Sequence, residues 1–326
     1  MGTGSQPNVE CALEGKSTYR AGIDENGLGA SLGPLVVTAV IAEVSRKGAR
    51  AIDNWNPEMH AEVLGDSKKL VRHGDVRLGE AWARVLTSEL LEAPSKLVEL
   101  LSHVPVSRLQ QRCPKQAQMQ CWNAKYDEFL AEEELLSLVR SELRALHALG
   151  IRPLRVASRL VCTSELNARL NESENRFLVD LHSMEELIAG AFDSLNRPLG
   201  VVCGKVGSMG SYTRYFHKLN ERDPEVVGEA KDLSHYRFAN HGSVKFVRDA
   251  DATDPLVMLA SLVGKYLREL FVSRIGGHFG RRVHLLRKPS GYHDPVTAEF
   301  VETTSEYRRK SAFPSSCFER MGPRDT

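Results

Sequence analysis

Two carboxylates stand side by side at Asp24 and Glu25, within Gly22-Ile-Asp-Glu-Asn-Gly-Leu-Gly-Ala-Ser-Leu-Gly33. Paired carboxylates at the end of a strand suit hard divalent cations, which take oxygen ligands. Adjacent residues of a regular strand point to opposite faces, so the pattern predicts a break after Ile23, with the glycines supplying the freedom. Gly27, Gly29 and Gly33 resemble a dinucleotide fingerprint in spacing alone. A β-branched run follows them, where a pyrophosphate would need a helix N-terminus, and a turn between two strands is the better reading.

Further along, Gly65-Asp-Ser-Lys-Lys-Leu70 sets two lysines beside a serine, either a phosphate contact or a solvated turn before a helix. Gly200-Val-Val-Cys-Gly204-Lys205 is one residue short of a phosphate-binding loop. Val206 also replaces the magnesium-binding hydroxyl, which excludes that function. In Val247–Asp254, Asp254 before Pro255 carries a helix N-cap signature, leaving Asp251 free to reach a metal. Lys265 and Glu269, four residues apart, suit a surface ion pair. Tyr292, in Lys288-Pro-Ser-Gly-Tyr-His-Asp294, is an aromatic among cations that either stacks on a sugar or base or is a plain surface tyrosine.

These residues need a scaffold, and the chain is long enough for one: 326 residues with 42% hydrophobic and 26% charged content. Such values fit one large α/β domain and exclude wholesale disorder. A net charge of +1 excludes a histone-like polycation, although residues 265–326 hold 12 Lys and Arg against 7 Asp and Glu. The longest apolar run, Leu32–Ala42, is too short for a membrane helix. Six scattered cysteines (Cys11, Cys113, Cys121, Cys162, Cys203 and Cys317) form no CxxC pair, which suits a reducing cytoplasm. Residues 1–17 read as a flexible leader without signal-peptide character.

Periodicity predicts strands over Thr18–Ile23, Pro34–Val44, 199–206 and 242–247. Helices are predicted over Asp75–Leu101 (divided at Pro94), Lys125–Leu149 (capped by Gly150), Glu174–Leu195 and Leu256–Ile275. The last should present Leu259, Leu262, Val263, Tyr266, Leu270 and Phe271 to the core. Strands first and helices late point to an α/β layer with its helices gathered toward the C-terminus.

Taken in order, the motifs resemble the ribonuclease HII (type 2 ribonuclease H) family, as a divergent member. The resemblance rests on Asp24-Glu25-Asn-Gly27-Leu-Gly29, on Asp66-Ser-Lys-Lys-Leu70, on Asp251 ahead of Ala260-Ser-Leu-Val-Gly-Lys265-Tyr-Leu-Arg268-Glu269, and on Gly291-Tyr292. It implies a ribonuclease H-like mixed sheet flanked by helices, with a helical insertion near 105–150 and a helical, basic C-terminal part at 265–326, in a single domain over 18–326. It also implies a metal-dependent endonuclease acting on the RNA strand or embedded ribonucleotides of RNA–DNA duplexes. Asp24, Glu25 and Asp251 would be catalytic and would hold Mg²⁺ or Mn²⁺, two ions or one. Gly27 and Gly29 would approach the ribose 2′-OH, Tyr292 would stack on a sugar, and Lys68, Lys265 and Arg268 would contact phosphates.

Two departures matter. Leu28 replaces the arginine between the glycines, and Cys203-Gly204 stands where the family has Asp-Gly. A soft thiol does not suit Mg²⁺. Either Glu229 or Asp232 folds back to replace that carboxylate, or the chain is a weakened relative that binds hybrid nucleic acid without cleaving it.

Overall fold

The computed structural model describes residues 18–87, 91–113, 119–125, 127–172, 174–283 and 287–322. The predicted leader, Cys11 and Leu90 of the predicted 75–101 helical segment lie outside these residues. Strands β1 (Thr18–Asn26) and β2 (Leu35–Val44) pair antiparallel across the glycine turn. Then come α1 (Arg46–Asp53), α2 (Ser67–Leu70), α3 (Arg77–Thr87), α4 (Pro94–Ser102), α5 (Val106–Gln110) and α6 (Glu133–Leu149). Strand β3 (Ile151–Val161) returns to the far side of β2, and α7 (Thr163–Asn171) and α8 (Arg176–Leu195) follow. Strand β4 (Leu199–Gly204) runs parallel to β1. Strands β5 (Glu225–Glu229), β6 (Leu233–Phe238) and β7 (Gly242–Val247) complete a seven-stranded sheet in the order β3-β2-β1-β4-β7-β6-β5. Helices α9 (Ala250–Thr253), α10 (Pro255–Gly280), α11 (Pro295–Lys310) and α12 (Ser315–Phe318) close the fold. This is the expected mixed α/β sheet flanked by helices, with a helical C-terminal part.

The sequence of β2 explains its place. Leu35 to Ala42 is buried on both faces, as an apolar strand must be when each face is covered. Val36, Val40 and Ala42 pack with α3, α6 and α10, while Val37, Ala39 and Ile41 pack with α8 and β4. Helix α10 is buried almost all round, more than its predicted stripe implied, because it lies on β1 and β2 and beneath α3. It comes so close to β1 that a Cβ on Gly22 would stand 2.2 Å from the backbone of Leu256. Only glycine permits that approach.

Several boundaries differ from expectation. Helices are spread along the chain rather than gathered late, since six of them precede β3. Strands β3, β5 and β6 have no counterpart in the predicted strands. Helix α6 starts at Glu133 instead of Lys125, because the buried carboxylate of Glu80 accepts the backbone N–H groups of Leu130 and Ala131 and holds them out of the helix. Pro94 does divide the 75–101 segment, as the first residue of α4. Among the described residues no helix is long and apolar enough to cross a membrane, and the five described cysteines are free thiols.

Candidate active site

Strands β1, β4 and β7 are mutually parallel, so their carboxyl ends open on one side of the sheet, where α/β proteins commonly place ligands. Asp24 and Glu25 lie at this end of β1. The expected break after Ile23 is absent: pairing with β2 continues regularly to Asn26↔Val36. The two side chains therefore leave opposite faces of the strand. Asp24 turns to the α10 face and meets Ser261, whereas Glu25 turns to the α8 face and feels Asp180. Their carboxyl groups still come together at the strand end.

A cleft of about 470 Å³ opens over them. It is lined by Asp24, Glu25, Gly27, Gly29, Lys68, Asp251, Lys265 and Tyr292, eight of the nine residues to which the resemblance gave a catalytic or substrate-binding role. The exception is Arg268. It is 1% exposed, ion-pairs with Glu269, donates to the Ser290 carbonyl at 2.9 Å, and lies under the Tyr292 ring. Its expected phosphate contact is thus replaced by a supporting position beneath Tyr292, which is 41% exposed. Glu269 is correspondingly not a surface partner of Lys265: it is buried between Arg268 and His73. The Lys265 ammonium donates instead to the Ser67 carbonyl at 2.9 Å.

The local sequence explains how the cleft is built. Asp254 caps α10 by accepting from Leu256 and Val257, which leaves Asp251 on the short α9 just above, 3.4 Å from the Lys68 ammonium. Asp66 caps α2, and Ser67 meets Ser261 at 2.9 Å, fastening the lysine pair to α10. Gly27 has φ of +89°, and a Cβ there would strike the Arg268 side chain at 2.8 Å. Gly29 meets no such obstacle. Arg320, which the sequence reading missed, is 4% exposed and donates to the carbonyls of Gly27 and Gly33, while its own N–H donates to Ser31. It clamps the whole glycine turn.

A fourth carboxylate was also missed. Asp180, on α8, is fully buried with both oxygens lacking a hydrogen-bond partner. Its signal in the sequence was an acid set inside an apolar helix face, between Val179 and Leu181 and one turn before Met184. The two substitutes considered from sequence are occupied elsewhere: Glu229 accepts from Tyr236 and from the Tyr212 N–H, and Asp232 pairs with Arg248 at 2.9 Å. Cys203 is a buried thiol whose pKa burial pushes well up, with Asp180 adding to the rise.

Burial also pushes the Asp24 carboxyl well above the usual range, helped by the neighbouring charge of Glu25. Glu25 is pushed up to about 8 by burial and then by Asp180, and Asp180 is raised by burial and then by Asp24. Asp251 holds the Lys68 ammonium above its ordinary value, whereas burial lowers that of Lys265. Carboxylates that resist ionisation together are what a bound cation would relieve. Among the described residues no three His, Cys, Asp or Glu side chains converge at coordination distance. The donor set is nevertheless all oxygen, and the orphaned oxygens of Asp180 need a partner, so the residues present fit a hard divalent ion.

No family model matches the chain, and no curated protein matches it. Among solved structures, ribonuclease HII of Archaeoglobus fulgidus, from its complex with PCNA, is 18% identical over 95% of this chain and 96% of its own, with a TM-score of 0.43. Ribonuclease H2 of Pyrococcus horikoshii OT3 is 17% identical over 92% of each chain, with a TM-score of 0.42. Bst-RNase HIII in complex with Mn²⁺ is 14% identical over 97% of this chain and 70% of its own, with a TM-score of 0.44.

Proposed function

We propose that the chain is a metal-dependent endonuclease that hydrolyses the RNA strand, or embedded ribonucleotides, of RNA–DNA duplexes. The observation carrying this reading is that one cleft joins Asp24, Glu25 and Asp251 to the Gly27–Gly29 turn, two lysines and an exposed tyrosine. Mg²⁺ or Mn²⁺ held by the three carboxylates would supply an activated water and stabilise the leaving 3′ oxygen. The residues of the chain do the rest. The backbone at Gly27 and Gly29, which carry no side chain, clamped by Arg320 at the Gly27 carbonyl, approaches the ribose 2′-OH that separates RNA from DNA. Lys68 and Lys265 hold flanking phosphates, and Tyr292 stacks on the adjacent sugar.

A second reading is favoured by one observation, the buried Cys203 thiol at the end of β4, where the resemblance calls for a carboxylate. On that reading the chain binds hybrid duplexes without cutting them. Cleavage of two labelled duplexes, one with a single ribonucleotide and one a full hybrid, separates the two in Mg²⁺ and in Mn²⁺. Cutting that disappears in Asp24→Asn supports the nuclease. Binding without cutting supports the second reading, and neither activity refutes both.

A further inference from the structure

We propose that Asp180 supplies from helix α8 the metal-binding carboxylate that strand β4 lacks at Cys203. The inference rests on the nuclease reading above and deepens it. Its first support is the state of Asp180 itself. A carboxylate at 0% exposure with neither oxygen hydrogen-bonded is the costliest way to place an acid in a protein, and few such groups persist without a ligand or a partner. One turn away on α8, Arg176 donates to the carbonyls of Ala30 and Met321 and Ser183 donates to the Val179 carbonyl, so the polar side chains nearest Asp180 along the helix are engaged elsewhere.

Its second support is position. Leu199, Val201 and Cys203 of β4 face α8, as do Ala21 and Ile23 of β1 by strand alternation, and Glu25 continues that face. Asp180 thus lies on the side of the sheet on which Cys203 lies, beneath the residues that line the cleft, and it acts electrostatically on Glu25 and on Cys203, while Asp24 acts on it. A carboxylate on β4 and one on α8 would then reach the acid pair from the same side of the sheet. A strand carrying cysteine and a helix carrying aspartate can therefore present the same count of oxygen ligands as the reverse arrangement.

Its third support is that three other described acids are held elsewhere, which leaves Asp180 and the cleft-lining Asp249. Glu229 and Asp232 are engaged with Tyr236 and Arg248, and Asp254 is held by the first N–H groups of α10.

The test is Mn²⁺ binding by the full chain, followed by calorimetry and by the loss of free Mn²⁺ signal in electron paramagnetic resonance. Wild type, Asp24→Asn, Asp180→Asn and the exchange Cys203→Asp/Asp180→Asn are compared, with hybrid binding measured on each. The expected result is loss of one Mn²⁺, or an affinity at least about 10-fold weaker, in Asp180→Asn. The exchange variant should recover it. Mn²⁺ binding that fails in Asp24→Asn but is unchanged in Asp180→Asn overturns the role of Asp180 while leaving the site intact. Absence of Mn²⁺ binding in wild type overturns both readings. Should Asp180→Asn not fold, the exchange variant decides: normal Mn²⁺ binding there supports the proposal, and a folded exchange variant without it refutes the proposal.

Discussion

The Arg268 guanidinium lies 4.0 Å from the centre of the Tyr292 ring and pairs with the buried Glu269. One cation thus holds an exposed aromatic in a fixed attitude at the rim of the cleft. The two residues should respond very differently to truncation. Arg268→Ala leaves the buried Glu269 with His73 as its remaining partner and is expected to destabilise the fold by about 3 kcal/mol. Tyr292→Ala should change stability by less than about 1 kcal/mol yet weaken hybrid binding by roughly 10-fold, a stacking contribution of about 1–3 kcal/mol. Thermal denaturation and duplex titration of both variants check this. Equal effects on stability would refute the supporting role of Arg268.

Two glycines that look alike in sequence should also part company. At Gly22 an added methyl group meets the backbone of α10 at 2.2 Å, which neither element can yield. Gly22→Ala is expected to lower stability by about 3 kcal/mol or more. At Gly204 the methyl group meets the Asp24 carboxylate oxygen at 2.8 Å, the movable end of a side chain. Gly204→Ala should therefore fold almost normally while weakening Mn²⁺ binding by about 10-fold or more, because it displaces a ligand. Melting temperature and Mn²⁺ titration on each variant test the contrast.

Stability should depend on pH in a direction set by the acids. The folded-state pKa of Glu25, about 8, lies above its unfolded value of 4.5, and Asp24 and Asp180 shift the same way. A raised carboxyl contributes stability fully below its unfolded pKa and loses it as pH climbs through the folded pKa. Metal-free protein is thus expected to melt at progressively lower temperature from about pH 4.5 to about pH 8. Saturating Mn²⁺, which favours the ionised forms, should flatten that decline. Melting curves in chelator and in Mn²⁺ across this window give the answer, and a level metal-free profile would count against the buried acid cluster.

The two lysines should be legible as counterion release. Each that touches a phosphate contributes close to one unit to the slope of log affinity against log salt. Lys68→Gln and Lys265→Gln are each expected to reduce that slope by about 1, and Tyr292→Ala to leave it unchanged. Hybrid titrations between low and moderate salt measure it directly.

How much of this was readable beforehand depended on range. The strands β1, β2, β4 and β7, the long α10 and its Asp254 cap could be read from local pattern, because alternation, β-branching and capping chemistry act within a few residues. So could the grouping of Asp24, Glu25, Asp251, Lys68 and Tyr292, through short motifs. Strand β3 escaped because Arg152, Pro153 and Arg155 dilute its apolar pattern, as befits a sheet edge. The start of α6 depended on Glu80, fifty residues away, and the regular course of β1 past Asp24 on its partner strand. Asp180 went unnoticed because a lone acid in an apolar helix face declares itself only once the facing strand is known. The burial of Arg268 and of Arg320 was equally hidden, since sequence treats every arginine as a surface cation.

The clamp of Arg320 on Gly27 links positions 293 residues apart in the chain. A ribosome making this protein would release β1, β2 and the acid pair long before it reached the arginine that fixes the turn between them. The cleft is therefore among the last features to become rigid as the chain emerges, and nascent chains halted short of residue 320 would carry every acidic ligand while their substrate-facing turn stayed slack.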